Sequence, residues 1–151
     1  MSTRPKYKLA ALLAAIAIVT TACTPEVAIA ADAVRRPAAT EFGQGPRASV
    51  NGLYTVTLQP AQALRLRQLQ TVPVQVLDAQ GRPVENATFR VDGGMPEHGH
   101  GLPTQPRVTR ALGNGIYEIE GVRFSMGGWW ELKLAIDSPA GADRVTFNLG
   151  L

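Results

Sequence analysis

From residue 50 onward the dominant feature of the sequence is alternation of apolar and polar residues, the period of a strand with one buried face. The pattern is clearest in residues 130–137, which read Trp-Glu-Leu-Lys-Leu-Ala-Ile-Asp. Shorter alternating runs occupy residues 54–58, 72–76, 87–91, 117–120 and 145–149. Side chains with this period line one face of a sheet and not one face of a helix, so the sequence predicts an all-β domain.

Turn sequences separate these runs and favour short antiparallel connections. The Gly113-Asn114-Gly115 sequence supplies the positive φ angles of a tight hairpin. About six to eight short strands at such spacing are typical of an antiparallel immunoglobulin-like β-sandwich, and a closed barrel is the alternative. Pro73 cannot donate a ladder hydrogen bond, which predicts an edge strand or a bulge at that point. The leucines of residues 62–70 fit either a short strand or a helical turn.

The cysteine count excludes two classes of small protein. The chain has a single Cys, so neither an internal disulfide nor a cysteine-based zinc cluster is available to hold the fold together. With 45% hydrophobic and 18% charged residues, the composition is not that of a disordered chain. The domain must therefore depend on an ordinary hydrophobic core.

The N-terminus has the order of a secretory signal peptide. Basic residues Arg4, Lys6 and Lys8 precede an apolar run at 9–19, and small residues follow it up to residue 22. A transmembrane helix needs about 20 apolar residues, so this shorter run predicts export with processing of residues 1–22 and not a permanent span.

Most of the net positive charge lies in this signal. The whole chain has 15 Lys+Arg and 12 Asp+Glu, and removal of Arg4, Lys6 and Lys8 leaves 12 of each. The processed chain is formally neutral and its arginines are interleaved with acidic and apolar residues. We therefore expect no nucleic-acid partner, because nucleic-acid binding needs a basic face.

Cys23 follows Thr20-Thr21-Ala22, which resembles a bacterial lipobox except that Thr20 stands where an aliphatic residue is usual. The sequence therefore predicts a lipoprotein on the periplasmic side of a membrane, acylated at Cys23. The alternative is cleavage after a later Ala-x-Ala, such as residues 28–30, which would discard Cys23 with the signal. Residues 23–49 are rich in Ala, Pro, Arg and Gly and predict a flexible linker, with the folded domain at 50–151.

The residues suited to metal binding are concentrated in two glycine-rich segments. His98 and His100, the two histidines of the chain, lie with Met95 in residues 93–101, and Met126 lies in a second segment at 125–128. If residues 98–100 are extended, the two imidazoles point to the same side. Thioethers are poor ligands for zinc or magnesium but good ones for Cu(I), so a site of two His and one or two Met predicts copper. The site requires that the two segments meet at one end of the sandwich.

Each of these residues also has a structural interpretation. The histidines could be polar surface groups on an exposed loop, and either methionine could fill an irregular gap at the end of the core. Trp130 belongs to the inward set of its strand, whereas Trp129 is predicted to point outward, where it would shield copper or form part of a partner surface. No enzyme is expected: a zinc hydrolase usually needs three protein ligands, and Glu97 would have to supply the third.

Residues 91–104, 115–117 and 121–132 carry a Met-Pro-x-His-Gly-His-Gly pattern and a downstream Phe-x-Met-x-Gly-x-Trp pattern. Over roughly residues 65–150 the chain resembles the YtkA-like/FixH-like family of bacterial exported domains. The resemblance implies a small immunoglobulin-like sandwich on the outer side of the cytoplasmic membrane, linked with copper handling and haem-copper oxidase assembly. The candidate ligands that it implies are Met95, His98, His100 and Met126; the family pattern often has Met at the position of Leu102.

Two functions of different classes follow from these observations. The first is an exported copper-binding carrier or chaperone, which holds Cu(I) and passes it to a haem-copper oxidase or another envelope copper client. The second is a metal-free interaction module, whose glycine-rich loops and Trp129 dock on a membrane complex.

Acylation of Cys23 is tested by metabolic labelling with a fatty acid. We expect label in the unsubstituted chain and none in the Cys23→Ala variant, because the acyl group is attached through the thiol of Cys23. Once attached, each buried acyl CH₂ contributes about 0.8 kcal/mol to membrane binding. An unsubstituted chain without label would contradict the lipid anchor.

Overall fold

The computed structural model describes residues 34–151 of the chain. The predicted signal peptide at 1–22, the acylation site Cys23 and the first part of the predicted linker lie outside the described residues. Within 34–151, no helix combines the length and the apolar character that crossing a bilayer requires.

The described chain forms two antiparallel sheets packed face to face. The strands are β1 (Arg47–Ala48), β2 (Tyr54–Leu58), β3 (Gln70–Asp78), β4 (Thr88–Met95), β5 (His100–Gly101), β6 (Arg107–Gly113), β7 (Ile116–Val122), β8 (Trp129–Ser138) and β9 (Gly141–Gly150). One sheet has the order β1-β2-β3-β7-β6 and the other the order β5-β4-β8-β9. Single turns of 3-10 helix lie at Ala39–Glu41 and Pro96–His98.

The alternating residues of both sheets meet in one core, as the sequence predicts. In β8, Leu132, Leu134 and Ile136 are buried while Lys133 and Asp137 are exposed. The opposite sheet contributes the inward sides of β2, β3 and β7, namely Tyr54, Val56, Leu58, Val72, Val74, Val76, Tyr117 and Ile119. Two separate ladders around one core confirm the predicted β-sandwich over the barrel alternative.

The predicted hairpin at 113–115 is present. Gly113 pairs with Ile116, so the loop consists of Asn114 and Gly115, which have φ angles of 54° and 68°. Two positive φ angles in a two-residue loop match the right-handed twist of the flanking strands. Gly115 is also required for space, because a β-carbon there would lie 2.4 Å from the carbonyl oxygen of Val76.

The prediction for Pro73 is correct in one respect and wrong in the other. β3 is the central strand of its sheet, not an edge, but its pairing with β7 shifts between Gln70 and Val72. Pro73 is tolerated because it lies just beyond the last residue pair between β2 and β3, Leu58 with Val74. Its carbonyl oxygen still accepts a hydrogen bond from the backbone N–H of Gln59 at 2.8 Å. Residues 62–69 form neither a regular strand nor a helix, and Leu66 alone bridges to Phe124.

The predicted linker at 23–49 requires a correction for the part that the structure describes. Phe42 pairs with Asn148 of β9, and Arg47 and Ala48 pair with Val56 and Thr55 of β2. Residues 42–48 thus run from the edge of one sheet to the edge of the other and join them on that side. The linker prediction failed here because two-residue pairings leave no alternating pattern in the sequence.

The expected exposure of Trp129 also requires a correction, because the side chain is only 2% exposed. Its side chain lies on the outer face of the β4-β8-β9 sheet, as the alternation predicts, but Pro37 and Glu41 line the same cleft. The indole Nε1 donates to Asn148 Oδ1 at 3.1 Å. Asn148 Nδ2 in turn donates to the Glu41 carbonyl at 3.4 Å, so the N-terminal segment covers the tryptophan.

A buried carboxylate anchors the turn between β1 and β2. Asp143 on β9 accepts hydrogen bonds from Ser49 Oγ at 2.7 Å and from the backbone N–H groups of Asn51, Leu53 and Arg144 at 3.0, 3.3 and 2.8 Å. Burial alone would raise the pKa of this carboxyl, but the hydrogen bonds that it accepts outweigh burial and lower its pKa below the ordinary value of 3.8.

A lowered folded-state pKa means that Asp143 stabilises the fold above the unfolded-state pKa and loses that contribution as the pH falls through the folded-state pKa. We expect Asp143→Ala to reduce the free energy of unfolding by about 2–3 kcal/mol at pH 7, since it leaves several buried donors unpaired. Urea denaturation followed by tryptophan fluorescence measures this, and the loss should shrink below about pH 4. The exposed Asp137→Ala is the matched control; equal losses for the two variants, or a loss independent of pH, would contradict the anchoring role.

Candidate metal site

The two segments that carry the candidate ligands lie at the same end of the sandwich. β4 ends at Met95, β8 begins at Trp129, and the two strands are antiparallel with Gly94 opposite Glu131. The end of β4 is therefore next to the start of β8. Residues 96–100, which follow β4, and residues 123–128, which precede β8, form what we call the rim of the sandwich.

The histidine segment is more regular than the sequence indicates. Met95 is the last residue of β4, Pro96–His98 form a 3-10 turn, and Gly99 reverses the chain with a φ of 64°. His100 then pairs with Met95 in the short strand β5. The extended geometry under which the two imidazoles would point to the same side is therefore absent at residues 98–100: a turn, and not strand periodicity, sets the relation between the two imidazoles.

The two imidazoles nevertheless lie close together. Their ring centroids are 6.0 Å apart, the ring planes are inclined by 28°, and both residues are exposed. Beside them is a shallow groove of about 280 Å³, whose lining includes Met95, His100, Glu131 and Lys133. Lys133 Nζ lies 2.8 Å from Glu131 Oε2, so that carboxylate already has a cationic partner.

Glu97, which a zinc site would need as its third ligand, forms an ion pair with Arg36 instead. Nη1 of Arg36 lies 3.0 Å from both carboxylate oxygens of Glu97 and donates to each. This ion pair ties the N-terminal segment to the 3-10 turn that carries His98. Within residues 34–151, no three His, Cys, Asp or Glu side chains form a group suited to a metal ion.

Met95 lies beneath the rim as part of the core. It is 1% exposed and belongs to the main hydrophobic cluster. A β-carbon placed on Gly128 would lie 2.8 Å from Met95 Cε, so the methyl group occupies space that only a glycine leaves free. Of the two interpretations that the sequence left open for Met95, burial favours the gap-filling one. The same contact joins the two segments of the rim.

Met126 is placed differently, with 40% of its surface exposed. Its backbone is held, because the carbonyl oxygen of Met126 accepts a hydrogen bond from Trp130 Nε1 at 2.9 Å. Trp130 itself packs edge-on against Phe124, with ring centroids 5.3 Å apart. The second segment therefore presents one exposed thioether on a backbone that is fixed by two buried aromatic rings.

Two features of the rim were not accessible to sequence reasoning. The partner of Glu97 is Arg36, which lies 61 positions earlier in an irregular segment. The role of Gly128 depends on a contact with Met95 across two strands. Gly127-Gly128 indicated a turn in the sequence, but nothing in it indicated that a methyl group would lie against the second glycine.

A family model described as YtkA-like matches residues 50–135. The chain belongs to the YtkA-like family. The matched residues include β2 through most of β8 and all four candidate ligands, Met95, His98, His100 and Met126. No match was found among curated proteins or among solved structures. The N-terminal segment that covers Trp129, and the strand β9 on which it pairs, lie outside the matched residues of this YtkA-like chain.

The contact between Met95 and Gly128 predicts a coupled pair in this YtkA-like domain. We expect Gly128→Ala to lower the free energy of unfolding by about 1–3 kcal/mol, because the φ of 132° strains any residue other than glycine and the new β-carbon would lie 2.8 Å from the buried Met95 Cε. In a Met95→Ala background the cost of Gly128→Ala should fall by about 1 kcal/mol or more, as chemical denaturation of all four proteins would measure.

Gly43→Ala is the control for backbone strain alone, since Gly43 has a φ of 150°, close to the 132° of Gly128, and nothing nearer than 4.0 Å to a β-carbon. If Gly128→Ala costs no more than Gly43→Ala, or the same with and without Met95, the two segments are not joined by this contact.

Proposed function

We propose that this YtkA-like protein is an exported copper-binding carrier that holds Cu(I) at the rim through His98, His100 and Met126. The observation that carries the proposal is the separation of the two imidazoles, 6.0 Å between ring centroids. Metal–imidazole bonds are about 2.0–2.1 Å long for a comparable ion, and adding the ring radii gives a centroid separation of about 6 Å for two rings on one metal. The rings therefore need reorientation and little translation to share an ion.

The sulfur chemistry of the rim supports copper over zinc or a hard cation. Two imidazoles alone would suit several metals, whereas an added thioether selects Cu(I). In this proposal Met126 is the thioether ligand, since it is exposed at the same end of the sandwich. Met95, which the sequence included among the ligands, is assigned to the core beneath them, because coordination would require it to leave a buried position.

The exposure of the site favours a carrier over a storage protein or an enzyme. His98 and His100 are both exposed, so an incoming ligand from a client can reach the ion and replace them one at a time. A site of two or three protein ligands also leaves a coordination position for that exchange. We place the protein on the periplasmic side of a membrane, held through acylated Cys23, with a haem-copper oxidase or another envelope copper protein as the client.

The alternative is a metal-free module that docks on a membrane complex. The sequence analysis assigned Trp129 to the docking surface of this module, and the burial of Trp129 removes it from that surface. A specific observation still favours a docking role: Leu66, Leu69 and Met126 are large hydrophobic side chains exposed at or next to the rim. The two functions are compatible, because a carrier must also dock.

A competition titration of the purified chain against a chromogenic Cu(I) chelator tests the proposal. We expect one Cu(I) per chain, at least tenfold weaker binding in His98→Ala/His100→Ala, and about tenfold weaker binding in Met126→Leu, since each lost ligand removes more than about 1.4 kcal/mol. Met95→Leu is the matched control and should bind Cu(I) like the unsubstituted chain. Equal affinity in all four proteins would contradict the site, and a loss confined to Met95→Leu would return Met95 to the ligand set.

A further inference from the structure

Three exposed hydrophobic side chains lie together beside the rim. Among residues 34–151, six large hydrophobic residues are exposed, and Leu66, Leu69 and Met126 are three of them, at 39%, 68% and 40% exposure. Scattered single hydrophobic residues are ordinary on a surface, but a group of them marks an interaction site. We call this group the apolar tip.

The contacts between residues 62–70 and 123–128 hold the tip together. Leu66 pairs with Phe124, and the backbone N–H of Arg67 donates to the Phe124 carbonyl at 2.7 Å. Leu66 Cδ1 lies 3.9 Å from a β-carbon placed on Gly127, the residue after Met126. Pairing of Gln70 with Val122 brings the adjacent Leu69 to the same end of the sheet. These contacts join the two segments that carry Leu66, Leu69 and Met126, so all three residues lie at the same end of the fold.

Exposed arginines flank the apolar tip in the sequence, and no carboxylate of residues 34–151 forms an ion pair with them. Arg65, Arg67 and Arg123 are each adjacent in sequence to a residue of the tip or of its supporting ladder, and all three are exposed. In the described part of the chain, the arginines that form ion pairs are Arg36, Arg82 and Arg110. Arg67 Nε donates instead to the Ser125 carbonyl at 3.4 Å, and Arg65 Nη2 to Gln62 Oε1 at 3.5 Å.

The chain enters the described domain at this same end. Arg36 is bound to Glu97 of the 3-10 turn at the rim. Between Cys23 and Val34 there are eleven peptide steps, which span at most about 40 Å when fully extended. If Cys23 is acylated, as proposed above, Val34 at this end of the sandwich can be at most about 40 Å from the bilayer.

We propose that the apolar tip and its arginines form a membrane-docking surface, which inserts Leu66, Leu69 and Met126 among the lipids of an anionic bilayer. Apolar side chains gain free energy by entering the boundary between headgroups and acyl chains, and each nearby Arg or Lys adds about 1 kcal/mol through attraction to anionic lipid. Arginine stems also cover apolar surface while the guanidinium remains among the headgroups. Docking through this end would place the candidate copper site at the membrane surface.

A bilayer fits this surface better than an acidic protein partner. A stable protein interface buries about 1,200–2,000 Å² in total and needs a matched shape, which three side chains on two loops do not provide. Insertion into lipid needs no matched partner surface, only protruding apolar groups and a surrounding positive charge. The inference rests on the proposed membrane location, where the lipid anchor would hold the chain, but the affinity of the tip for lipid needs neither the anchor nor copper and is measured without them.

The orientation of the domain on vesicles tests the proposal. In the chain of residues 23–151 with Cys23→Ala, which lacks the anchor, the apolar signal and every other cysteine, an environment-sensitive dye is attached to Leu69→Cys or to Leu112→Cys, so that only the remaining chain can bind vesicles. Leu112 is 52% exposed and lies next to the β6–β7 hairpin loop at the opposite end, so it is the matched control. With vesicles containing phosphatidylglycerol, we expect a blue shift of the dye at position 69 and none at position 112. The shift should be much smaller with pure phosphatidylcholine vesicles.

The charge requirement is tested by two pairs of substitutions in the same labelled chain. Neutralising Arg65 and Arg67 to Gln should weaken partitioning by roughly tenfold or more, since about 1 kcal/mol is lost per residue. Arg90→Gln/Arg144→Gln, on the outer face of the other sheet, is the matched control and should change partitioning by less than about threefold. These variants keep His98, His100 and Met126, so Cu(I) titration reports separately on the carrier proposal.

Four outcomes would overturn membrane docking. The dye could shift at neither position, which would mean that the tip has no affinity for the bilayer. The dye could shift equally at positions 69 and 112, which would mean attachment through another segment. The two arginine pairs could weaken partitioning equally, which would mean nonspecific attraction. Position 69 could respond to soluble polyglutamate and not to vesicles, which would identify the tip as a site for an acidic protein.

Discussion

The pairing of β4 with β8 is the constraint on which the rest of the structure depends. Seven residue pairs, from Thr88 with Asp137 to Gly94 with Glu131, set the register. A slip of one residue would turn Leu132, Leu134 and Ile136 to the outer face of the sheet, so the hydrophobic core itself selects this register. The same register brings the end of β4 to the start of β8. The register therefore also sets the contact between Met95 and Gly128. The position of the rim follows from core packing and requires no ligand.

The fold could be predicted because alternation and turn residues are local features of the sequence. Features that depend on contacts between distant segments could not. Alternation in β2, β3, β7, β8 and β9 gave the strands, and the Asn-Gly step gave the hairpin. Gly93 and Gly94 resemble loop residues in the sequence but belong to β4. A β-carbon on Gly93 would lie 2.2 Å from the Glu131 carbonyl oxygen, and one on Gly94 would lie 2.2 Å from that of His100. Glycine here permits close approach of neighbouring strands, and sequence alone does not separate that role from a flexible loop.

Trp129 shows the same limit in another form. Alternation correctly indicates the face of the sheet on which a side chain lies, but not whether another segment covers that face. The covering segment begins about ninety positions earlier, and its short pairings leave no periodic signal. The candidate site divides in the same way. The two imidazoles are 6.0 Å apart, but a 3-10 turn and the left-handed Gly99 bring them together, and not the extended geometry on which the spacing argument depended. The burial of Met95 and the exposure of Met126 likewise depend on what packs around each thioether.

In the proposed carrier the buried Met95 and the exposed Met126 have different roles. The buried Met95 thioether, in contact with Gly128, fixes the base of the rim. The 3-10 turn that carries His98 and the short strand that begins at His100 therefore have a rigid support. An exposed thioether and two exposed imidazoles leave the ion open to stepwise ligand exchange, which a fully enclosed site would prevent. If the apolar tip also enters the bilayer, Met126 would be shared between lipid and metal. Membrane contact would then compete with one copper ligand, and a client embedded in the membrane would receive the ion where it is held least tightly.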